Sequence, residues 1–248
     1  MVGPGEREGA PPEASLAAAW EANAADWIAW ARTPGHDLYE RFHRDALFRL
    51  LPPPGRLTVD LGCGEGRVGR DLLAAGHVVV GVDRSPTLAA AAATHEPALP
   101  VVLADGVAIP MADASCDLVV AFMSLQDMDR PDAAFFEVAR VLEPGGRAVM
   151  AVVHPLNGAG TFAGERGDAS APFVIDGSYL EAHRYADDVD RDGLRMRFVS
   201  DHRSLASWSG MIEAAGLLVE AMREVGSPDP ADRWHRVPLF LHLRLLRP

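Results

Sequence analysis

Short apolar runs alternate with helix-like segments through the middle of the chain. The runs RLTVDLG, HVVVGVD, PVVLAD, CDLVVAFMSL and GGRAVMAVVH are apolar at most positions, and segments with apolar residues three or four positions apart lie between most of them. Strands that are apolar on both faces and alternate with helices are typical of a parallel sheet covered on two sides. The pattern predicts a doubly wound α/β sheet over residues 55–154.

The segments before this core have different patterns. Residues 1–11 are rich in Gly, Pro and Glu and are predicted to be disordered. Residues 12–54 are predicted to form two cap helices, the first with Trp20, Trp27 and Trp30 near helical spacing. The second helix is predicted over HDLYERFHRDALFRLL and ends at the prolines of LPPPG.

The segments after the core complete the predicted organisation. Residues 155–200 begin with a polar, Gly-rich stretch, and then apolar and polar positions alternate around an Asp-Arg-Asp-Gly turn. This predicts a lid segment that contains a β-hairpin. Residues 201–248 predict one helix and two further strands of the sheet. The expected fold class is α/β, with cap helices before the sheet and an inserted lid after its fifth strand.

Composition narrows the class of partner. The 23 basic residues are all arginine, and 35 acidic residues give the 248-residue chain a net charge of -12. This charge repels phosphate backbones, so nucleic acid is not an expected partner. No apolar run approaches the roughly 20 residues that span a bilayer, and the chain start has no secretory pattern, so we expect a cytoplasmic protein with no membrane partner. Cys63 and Cys116 are expected to be packing residues, and no metal site is predicted.

The stretch VDLGCGEGRVGRDL joins the first core strand to a helix. Asp60 ends the strand, and glycines follow at positions 62, 64, 66 and 69. Glycine permits positive φ and close approach of a ligand, and a helix N-terminus after such a turn often binds a nucleotide-type ligand. The last three glycines also match the G-x-G-x-x-G pattern of dinucleotide binding. The carboxylates of Asp60 and Glu65 would repel a pyrophosphate, which favours a cationic ligand. Gly69, one turn into the helix, is predicted to be a close-packing residue.

Four motifs in order resemble those of the class I S-adenosylmethionine-dependent methyltransferases, of the methyltransferase type 11 kind. DLGCGEG resembles the first motif, VVVGVDRSP the second and LADGVAIPM the third. CDLVVAFMSLQDM and RVLEPGGRAVM resemble the fourth strand and the loop before the fifth. The resemblance covers residues 57–154. It implies a Rossmann-like, seven-stranded sheet and S-adenosylmethionine as the cofactor.

The resemblance also implies which residues contact the cofactor. Asp83 would accept hydrogen bonds from the ribose hydroxyls, and Asp105 would accept from the adenine amino group. The backbone of Gly106 and Val107 would meet the edge of the adenine ring, and Arg32 is a candidate partner of the cofactor's carboxylate. The other candidates for cofactor contact are Asp60, Gly62, Cys63, Gly64, Gly66, Arg84 and Phe122.

Methyl transfer is an in-line displacement, so the protein has to align the reactants, exclude water and, for a hydroxyl acceptor, take up a proton. His154, at the end of the fifth strand, is the first candidate base and His202 the second. Asp127 is expected at the pocket mouth. Candidate substrate contacts are Trp30, His36, Tyr39, Gln126 and His154. Residues expected to be structural are Trp20, Trp27, His43 and His242.

The sequence therefore predicts an S-adenosylmethionine-dependent methyltransferase that acts on a small or medium organic acceptor. Oxygen, in a hydroxyl or a carboxylate, is the favoured acceptor atom. A peptide acceptor, a non-catalytic module that binds S-adenosylmethionine, and a nicotinamide-dependent oxidoreductase stay open as alternatives. A monomer or a homodimer is expected.

Overall fold

The alternation of strands and helices is present in the structure, a computed structural model that describes residues 8–9, 15–164 and 168–248. The helices are α1 (Leu16–Arg32), α2 (Arg44–Phe48), α3 (Arg67–Ala74), α4 (Pro86–Thr94), α5 (Pro131–Val141), α6 (Pro155–Ala159) and α7 (Leu205–Ala214). The strands are β1 (Glu8–Gly9), β2 (Thr58–Leu61), β3 (Val79–Asp83), β4 (Val101–Leu103), β5 (Cys116–Phe122), β6 (Leu142–Val153), β7 (Gly160–Phe162), β8 (Phe173–Ile175), β9 (His183–Arg191), β10 (Leu194–His202), β11 (Leu218–Val225) and β12 (Phe240–Leu246). A π-helical turn spans Tyr39–His43, and 3₁₀ turns span Leu125–Asp127 and Arg233–His235.

Seven strands form one sheet in the order β11–β12–β6–β5–β2–β3–β4. The strands from β4 to β6 in this order are parallel, whereas β12 is antiparallel to both β6 and β11. The predicted doubly wound, Rossmann-like, seven-stranded sheet is confirmed, and its last two strands come from the C-terminal segment as expected. The carboxyl ends of β2, β3 and β5 therefore lie side by side, which is where such sheets bind ligands.

Alternate residues of β5 pack on opposite faces of the sheet. Val119 and Ala121 belong to the hydrophobic cluster that includes residues of α5 and α7. Leu118 and Val120 belong to a second cluster, which includes Leu72 of α3. Because both faces of this strand are buried, it is apolar at nearly every position.

The cap helices precede the sheet, but the second differs from its prediction. The side chain of Ser15 caps α1 and accepts a hydrogen bond from the Ala18 N–H at 3.1 Å. In place of one helix after residue 36, a π-helical turn leads into the short helix α2. The wider turn buries Tyr39, Phe42 and His43. It therefore turns polar groups of this segment inward.

The strands β9 and β10 form the predicted hairpin. Its turn residues Asp192 and Gly193 have φ values of 53° and 81°, as a type I′ turn requires. Phe198 of β10 packs edge to face on Trp20 and Trp27 of α1, with ring centroids 6.4 and 6.0 Å away. We call α1 and this hairpin the roof. That residues 155–200 act as a lid stays a prediction.

Two predicted segments fall partly outside the described residues. Of the stretch 1–11 that was expected to be disordered, residues 8–9 form β1 and pair with Tyr185 and Ala186 of β9, and the others lie outside the described residues. Residues 165–167 of the expected lid also lie outside them. Within the described part of the chain, no helix combines the length and the apolar character that crossing a membrane requires.

Candidate functional site

The glycine turn between β2 and α3 needs glycine for two reasons. Gly62, Gly64 and Gly66 have φ values of +71°, +56° and +91°, in the left-handed region that favours glycine. A Cβ on Gly62 would also lie 2.4 Å from Cβ of Ser124, so the turn packs directly against the end of β5. Gly69 has a different role, because a Cβ there would lie 2.6 Å from Leu99. The prediction that Gly69 is a close-packing residue is confirmed.

A cavity of about 790 Å³ opens at the carboxyl ends of β2, β3 and β5, beneath the roof. Most of the candidate residues line it: Trp30, His36, Tyr39, Asp60, Gly62, Cys63, Gly64, Asp83, Arg84, Asp105, Gly106, Val107, Phe122 and Gln126. The candidates that do not line it are Arg32, Gly66, His154 and His202. The fold thus brings the motif residues together and leaves out both candidate bases.

Two carboxylates lie at the strand ends beside the glycine turn. Asp60 is 1% exposed, and its Oδ2 has no hydrogen-bond partner among the described residues. Burial raises the pKa of Asp60 to about 7, and the negative charge of Asp83 acts in the same direction. Asp83 accepts the Gly64 N–H at 2.7 Å and the Ser85 N–H at 2.9 Å, and burial also raises its pKa. Each Asp83 oxygen keeps a lone pair for a ligand in the cavity.

Asp105 and Arg84 face each other across the loops that follow β4 and β3. Their side chains form an ion pair of 2.9 Å, and the Val107 N–H donates to Asp105 at 3.2 Å. A Cβ on Gly106 would lie 3.0 Å from the Met128 side chain, so the loop backbone is closely packed there. Both side chains of the ion pair border the cavity. Contact of Asp105 with an adenine ring stays a prediction.

Glu65 and Arg32 are paired with each other, which corrects two expectations. Glu65 is 2% exposed and accepts hydrogen bonds from Arg70 at 2.8 and 2.7 Å and from Arg32 at 3.0 Å. Its charge is therefore balanced within the protein and gives no preference for a cationic ligand. Arg32 also donates to the Ala91 carbonyl at 3.1 Å, outside the cavity, so it is not placed to meet a cofactor carboxylate.

Arg67, which the sequence analysis did not select, is the arginine that lines this part of the cavity. Its guanidinium lies 4.4 Å from the Tyr39 ring centroid and 2.5 Å from Asp37. Its Nε is buried without a hydrogen-bond partner among the described residues. Arg67 is the first residue of α3, directly after the glycine turn. This position in the sequence could have identified Arg67 as a cavity residue. The Tyr39 hydroxyl donates to Asp71 at 2.7 Å, so its ring rather than its hydroxyl contributes to the cavity wall.

The two histidines expected to act as bases both have hydrogen-bond partners within the protein, which favours structural roles. His154 accepts the Leu156 N–H at Nδ1 (3.1 Å) and contacts Glu224 through Nε2 (3.0 Å), so both ring nitrogens are occupied. Burial lowers its pKa, and the nearby Glu224 opposes this effect. His202 lies 2.8 Å from the Tyr179 carbonyl through Nε2 and stacks on His183. Neither ring lines the main cavity, and a substrate contact of His154 stays a prediction.

Three tryptophans of α1 cover the cavity. Trp20, Trp27 and Trp30 all line it, and each packs edge to face on Phe198 of the hairpin. Trp20 and Trp27 were expected to be core packing residues. Both rings pack against each other and on Phe198 as expected, and they also border the cavity.

Asp127 lies in the cavity wall and is coupled to the hairpin. It accepts the Ser200 hydroxyl at 2.5 Å, and Gln126 approaches it at 3.4 Å. Burial raises the pKa of Asp127 to about 8, and the nearby Asp201 charge opposes ionisation further, although the hydrogen bond from Ser200 acts in the other direction. The raised pKa favours the protonated form of Asp127, which is a hydrogen-bonding group of the wall.

The far side of the cavity is largely apolar and lies beyond the carboxyl ends of β5 and β6. This part, which we call the acceptor side, is lined by Phe42, His43, Phe122, Met123, Val153, Trp234, Leu239 and Phe240, and the charged residues Arg41, Asp232 and Arg233 also border the cavity. Met123, directly after β5, has a φ of 50°, which is uncommon for a residue with a side chain and typical of functional positions. Polar groups from the glycine turn and apolar groups from this wall thus face one space.

Comparison with known proteins finds a matching family model and similar methyltransferases. A family model described as a methyltransferase domain matches residues 59–150. A demethylmenaquinone methyltransferase of Corynebacterium kroppenstedtii is 37% identical over 102 residues, which are 41% of this chain and 44% of that protein. A malonyl-[acyl-carrier protein] O-methyltransferase of Methylococcus capsulatus is 37% identical over 103 residues, 40% and 37% of the two chains. The chain spans less than half the length of these curated relatives.

A solved structure extends the similarity beyond the core. The S-adenosylmethionine-dependent methyltransferase of Mesorhizobium loti superposes with a TM-score of 0.66 and 25% identity, over 82% of this chain and 96% of that one.

Proposed function

We infer that this chain, whose residues 59–150 belong to the class I S-adenosylmethionine-dependent methyltransferase family, transfers a methyl group to a small or medium organic acceptor at an oxygen atom. The observation that carries this proposal is the convergence of the family's motif residues on one cavity. Asp60, Asp83 and Asp105 come from three different strand ends, and all three border the same space.

The residues at the strand ends fit the proposed cofactor. A Cβ on Gly64 would meet only Nε1 of Trp27, at 3.5 Å, so the turn leaves its backbone open to a ligand. The buried Oδ2 of Asp60 has no hydrogen-bond partner among the described residues, and the Asp83 oxygens keep lone pairs for a ligand. These acceptors suit the hydroxyl and amino groups of an adenosyl compound. S-adenosylmethionine supplies an activated methyl group when it is bound.

The apolar far wall supports an organic acceptor with an apolar body. Small-molecule sites usually have volumes of about 300–1,000 Å³, and this cavity of about 790 Å³ lies in the upper part of that range. The space is thus adequate for a cofactor and a second molecule side by side. Phe42, Trp234 and Phe240 would stack on or enclose the acceptor, and the roof would exclude water from the reacting atoms.

The proposal is tested by measuring S-adenosylhomocysteine release. The full-length protein would be incubated with S-adenosylmethionine and a panel of aromatic and aliphatic carboxylic acids, phenols, alcohols, amines and short peptides. We expect release that depends on an oxygen acceptor and is lost in Asp83→Ala but kept in Asp113→Ala, which changes an exposed carboxylate.

Other outcomes separate the alternatives. Release with peptides alone would indicate a peptide acceptor. Binding of S-adenosylhomocysteine without release from any acceptor would indicate a non-catalytic binding module, and binding of reduced nicotinamide in its place would indicate an oxidoreductase. Each of these results contradicts the proposed function.

A further inference from the structure

His43 and His242 form a buried pair at the acceptor side of the cavity. Nδ1 of His43 lies 3.0 Å from Nε2 of His242, and the ring centroids are 5.2 Å apart. The two residues are only 3% and 0% exposed. The π-helical turn supplies one ring and the middle of β12 supplies the other, so the pair exists only in the folded chain.

The surroundings of His242 determine which ring nitrogens carry protons. Its Nδ1 is buried without a hydrogen-bond partner among the described residues. Buried N–H groups without an acceptor are rarer in proteins than buried acceptors without a donor, so Nδ1 is best assigned as the nitrogen with the lone pair. Nε2 of His242 then carries the proton and donates it to Nδ1 of His43. His43 in turn carries its own proton on Nε2.

Both rings are neutral at physiological pH. Burial lowers the pKa of His43 well below its usual range, and the neighbouring His242 and the Arg67 charge act in the same direction. Burial lowers the pKa of His242 to about 4. A neutral imidazole has one N–H, so His43 is a hydrogen-bond donor at Nε2 and not a base there.

The donor faces the place where an acceptor would bind. The His43 ring lies 4.8 Å from the Phe122 ring, at the carboxyl end of β5, and 4.0 Å from the Phe240 ring. His43 lines the cavity, and because Nδ1 is taken by His242, Nε2 is the ring nitrogen that remains for a ligand. Arg67 also lines the cavity, where it is paired with Asp37 at 2.5 Å. An N–H donor in a largely apolar wall suits an oxygen acceptor, and its hydrogen bond is stronger when that oxygen is charged.

We propose that His43 donates its Nε2–H to an anionic oxygen of the acceptor, so that the acceptor is a carboxylate or an ionised hydroxyl. This assignment rests on the proposed methyltransferase function. In the transfer, an oxygen lone pair forms the O–CH₃ bond while the C–S bond breaks and its electron pair stays on sulfur, which becomes neutral. No proton is released in this step, so the cavity needs no base.

Arg41, Asp232 and Arg233 also line the cavity, and Arg41 pairs with Asp232 at 3.7 Å. Asp127 is a further titratable group of the wall. Burial raises its pKa to about 8, and it accepts the Ser200 hydroxyl. It also adjoins Met128, whose side chain packs on Gly106 at the opposite, cofactor side of the cavity. The pH profiles described below distinguish proton removal by Asp127 from binding of an acceptor that is already ionised.

The tautomer of His43 is measured on the full-length protein with ¹⁵N-labelled histidine and bound S-adenosylhomocysteine. Two-bond nitrogen–hydrogen spectra should show His43 protonated at Nε2 and unprotonated at Nδ1. In His242→Phe, which removes the donor to Nδ1, the His43 signal should move towards a mixture of the two tautomers. A wild-type spectrum with the His43 proton on Nδ1 would overturn the proposal, whether or not the enzyme is active.

The acceptor class is measured from the pH dependence of kcat/KM with benzoate, phenol, 4-cyanophenol and 4-nitrophenol. For an acceptor that must be ionised beforehand, the midpoint of the profile should follow the acidity of each phenol, and benzoate should give a flat profile. One common midpoint for all phenols would show that an enzyme base removes the proton and would overturn the proposal. Protein that binds S-adenosylhomocysteine but methylates none of these oxygen acceptors would also overturn it. Failure to bind S-adenosylhomocysteine would instead refute the proposed function.

Variants separate donation by His43 from a packing role. His43→Phe should lower kcat/KM by about 10- to 100-fold, as expected for loss of a hydrogen bond to a charged group. Affinity for S-adenosylhomocysteine should stay unchanged, and His43→Gln, which keeps an N–H donor, should recover part of the activity. The control is His77→Gln, a buried histidine 3.0 Å from Thr58 at the amino end of β2. Equal losses in His43→Phe and His77→Gln would contradict the assigned role.

Discussion

Replacing Asp60 with asparagine should stabilise the free protein, and more so at pH 8 than at pH 5. The side chain is buried, and its pKa is raised from 3.8 to about 7 by burial and by the charge of Asp83. A carboxyl group with a raised pKa contributes stability below pH 3.8 that is lost as the pH rises through 7. The difference between the folded and unfolded pKa values corresponds to up to about 4 kcal/mol of unfolding free energy at pH 8. Asparagine has the same shape and does not ionise.

The change in the free energy of unfolding is measured by urea titration, followed by tryptophan fluorescence, at pH 5 and pH 8. The free energy of unfolding changes by about 1.4 kcal/mol per pH unit between the unfolded and the folded pKa of Asp60 and levels off above the folded pKa. The gain at pH 8 should therefore exceed the gain at pH 5 by roughly 3 kcal/mol. Asp176→Asn, at an exposed position, is the control and should show no such difference. An equal effect at both pH values, or a loss of stability at pH 8, would refute the reasoning. A carboxylate that lowers stability in this way is expected to serve binding.

Three further changes test other parts of the site. Gly62→Ala should cost roughly 2–5 kcal/mol of unfolding free energy in urea, because the added Cβ meets Ser124 at a positive φ, whereas Gly145→Ala, at positive φ without a clash, should cost about 1–2 kcal/mol. His154→Gln should lower the thermal midpoint while leaving S-adenosylhomocysteine release intact, and a selective loss of turnover would contradict its structural role. Asp83→Ala should weaken S-adenosylhomocysteine binding by about 1–3 kcal/mol in calorimetry, and unchanged affinity would show that the ribose is held elsewhere.

The sheet, the glycine turn and the hairpin were predictable because their signals are local. A strand buried on both faces is apolar at nearly every position, as in β5. The Asp192–Gly193 pair permits two consecutive positive φ values and so specifies the hairpin turn. The candidate cofactor residues lie in the same turns, directly after the strands. Their convergence followed from the parallel order of those strands.

The partners of buried polar groups were not predictable because they are distant in sequence. Glu65 is paired with Arg32, 33 positions earlier, and His154 meets Glu224, 70 positions later. His43 meets His242 across 199 positions. Such pairs depend on how the cap helices and β12 pack on the sheet, and no local pattern signals them. This is why the partners of both candidate bases were not foreseen and why the histidine at the acceptor side was missed.

The choice of cofactor depends most on Asp83 and Asp105, since Glu65 is already neutralised within the protein. It is tested most directly by calorimetric titration of the full-length protein with S-adenosylhomocysteine and, separately, with reduced nicotinamide adenine dinucleotide. The account predicts one S-adenosylhomocysteine site per chain and no heat of binding from the dinucleotide. Binding of the dinucleotide, with none of S-adenosylhomocysteine, would contradict it.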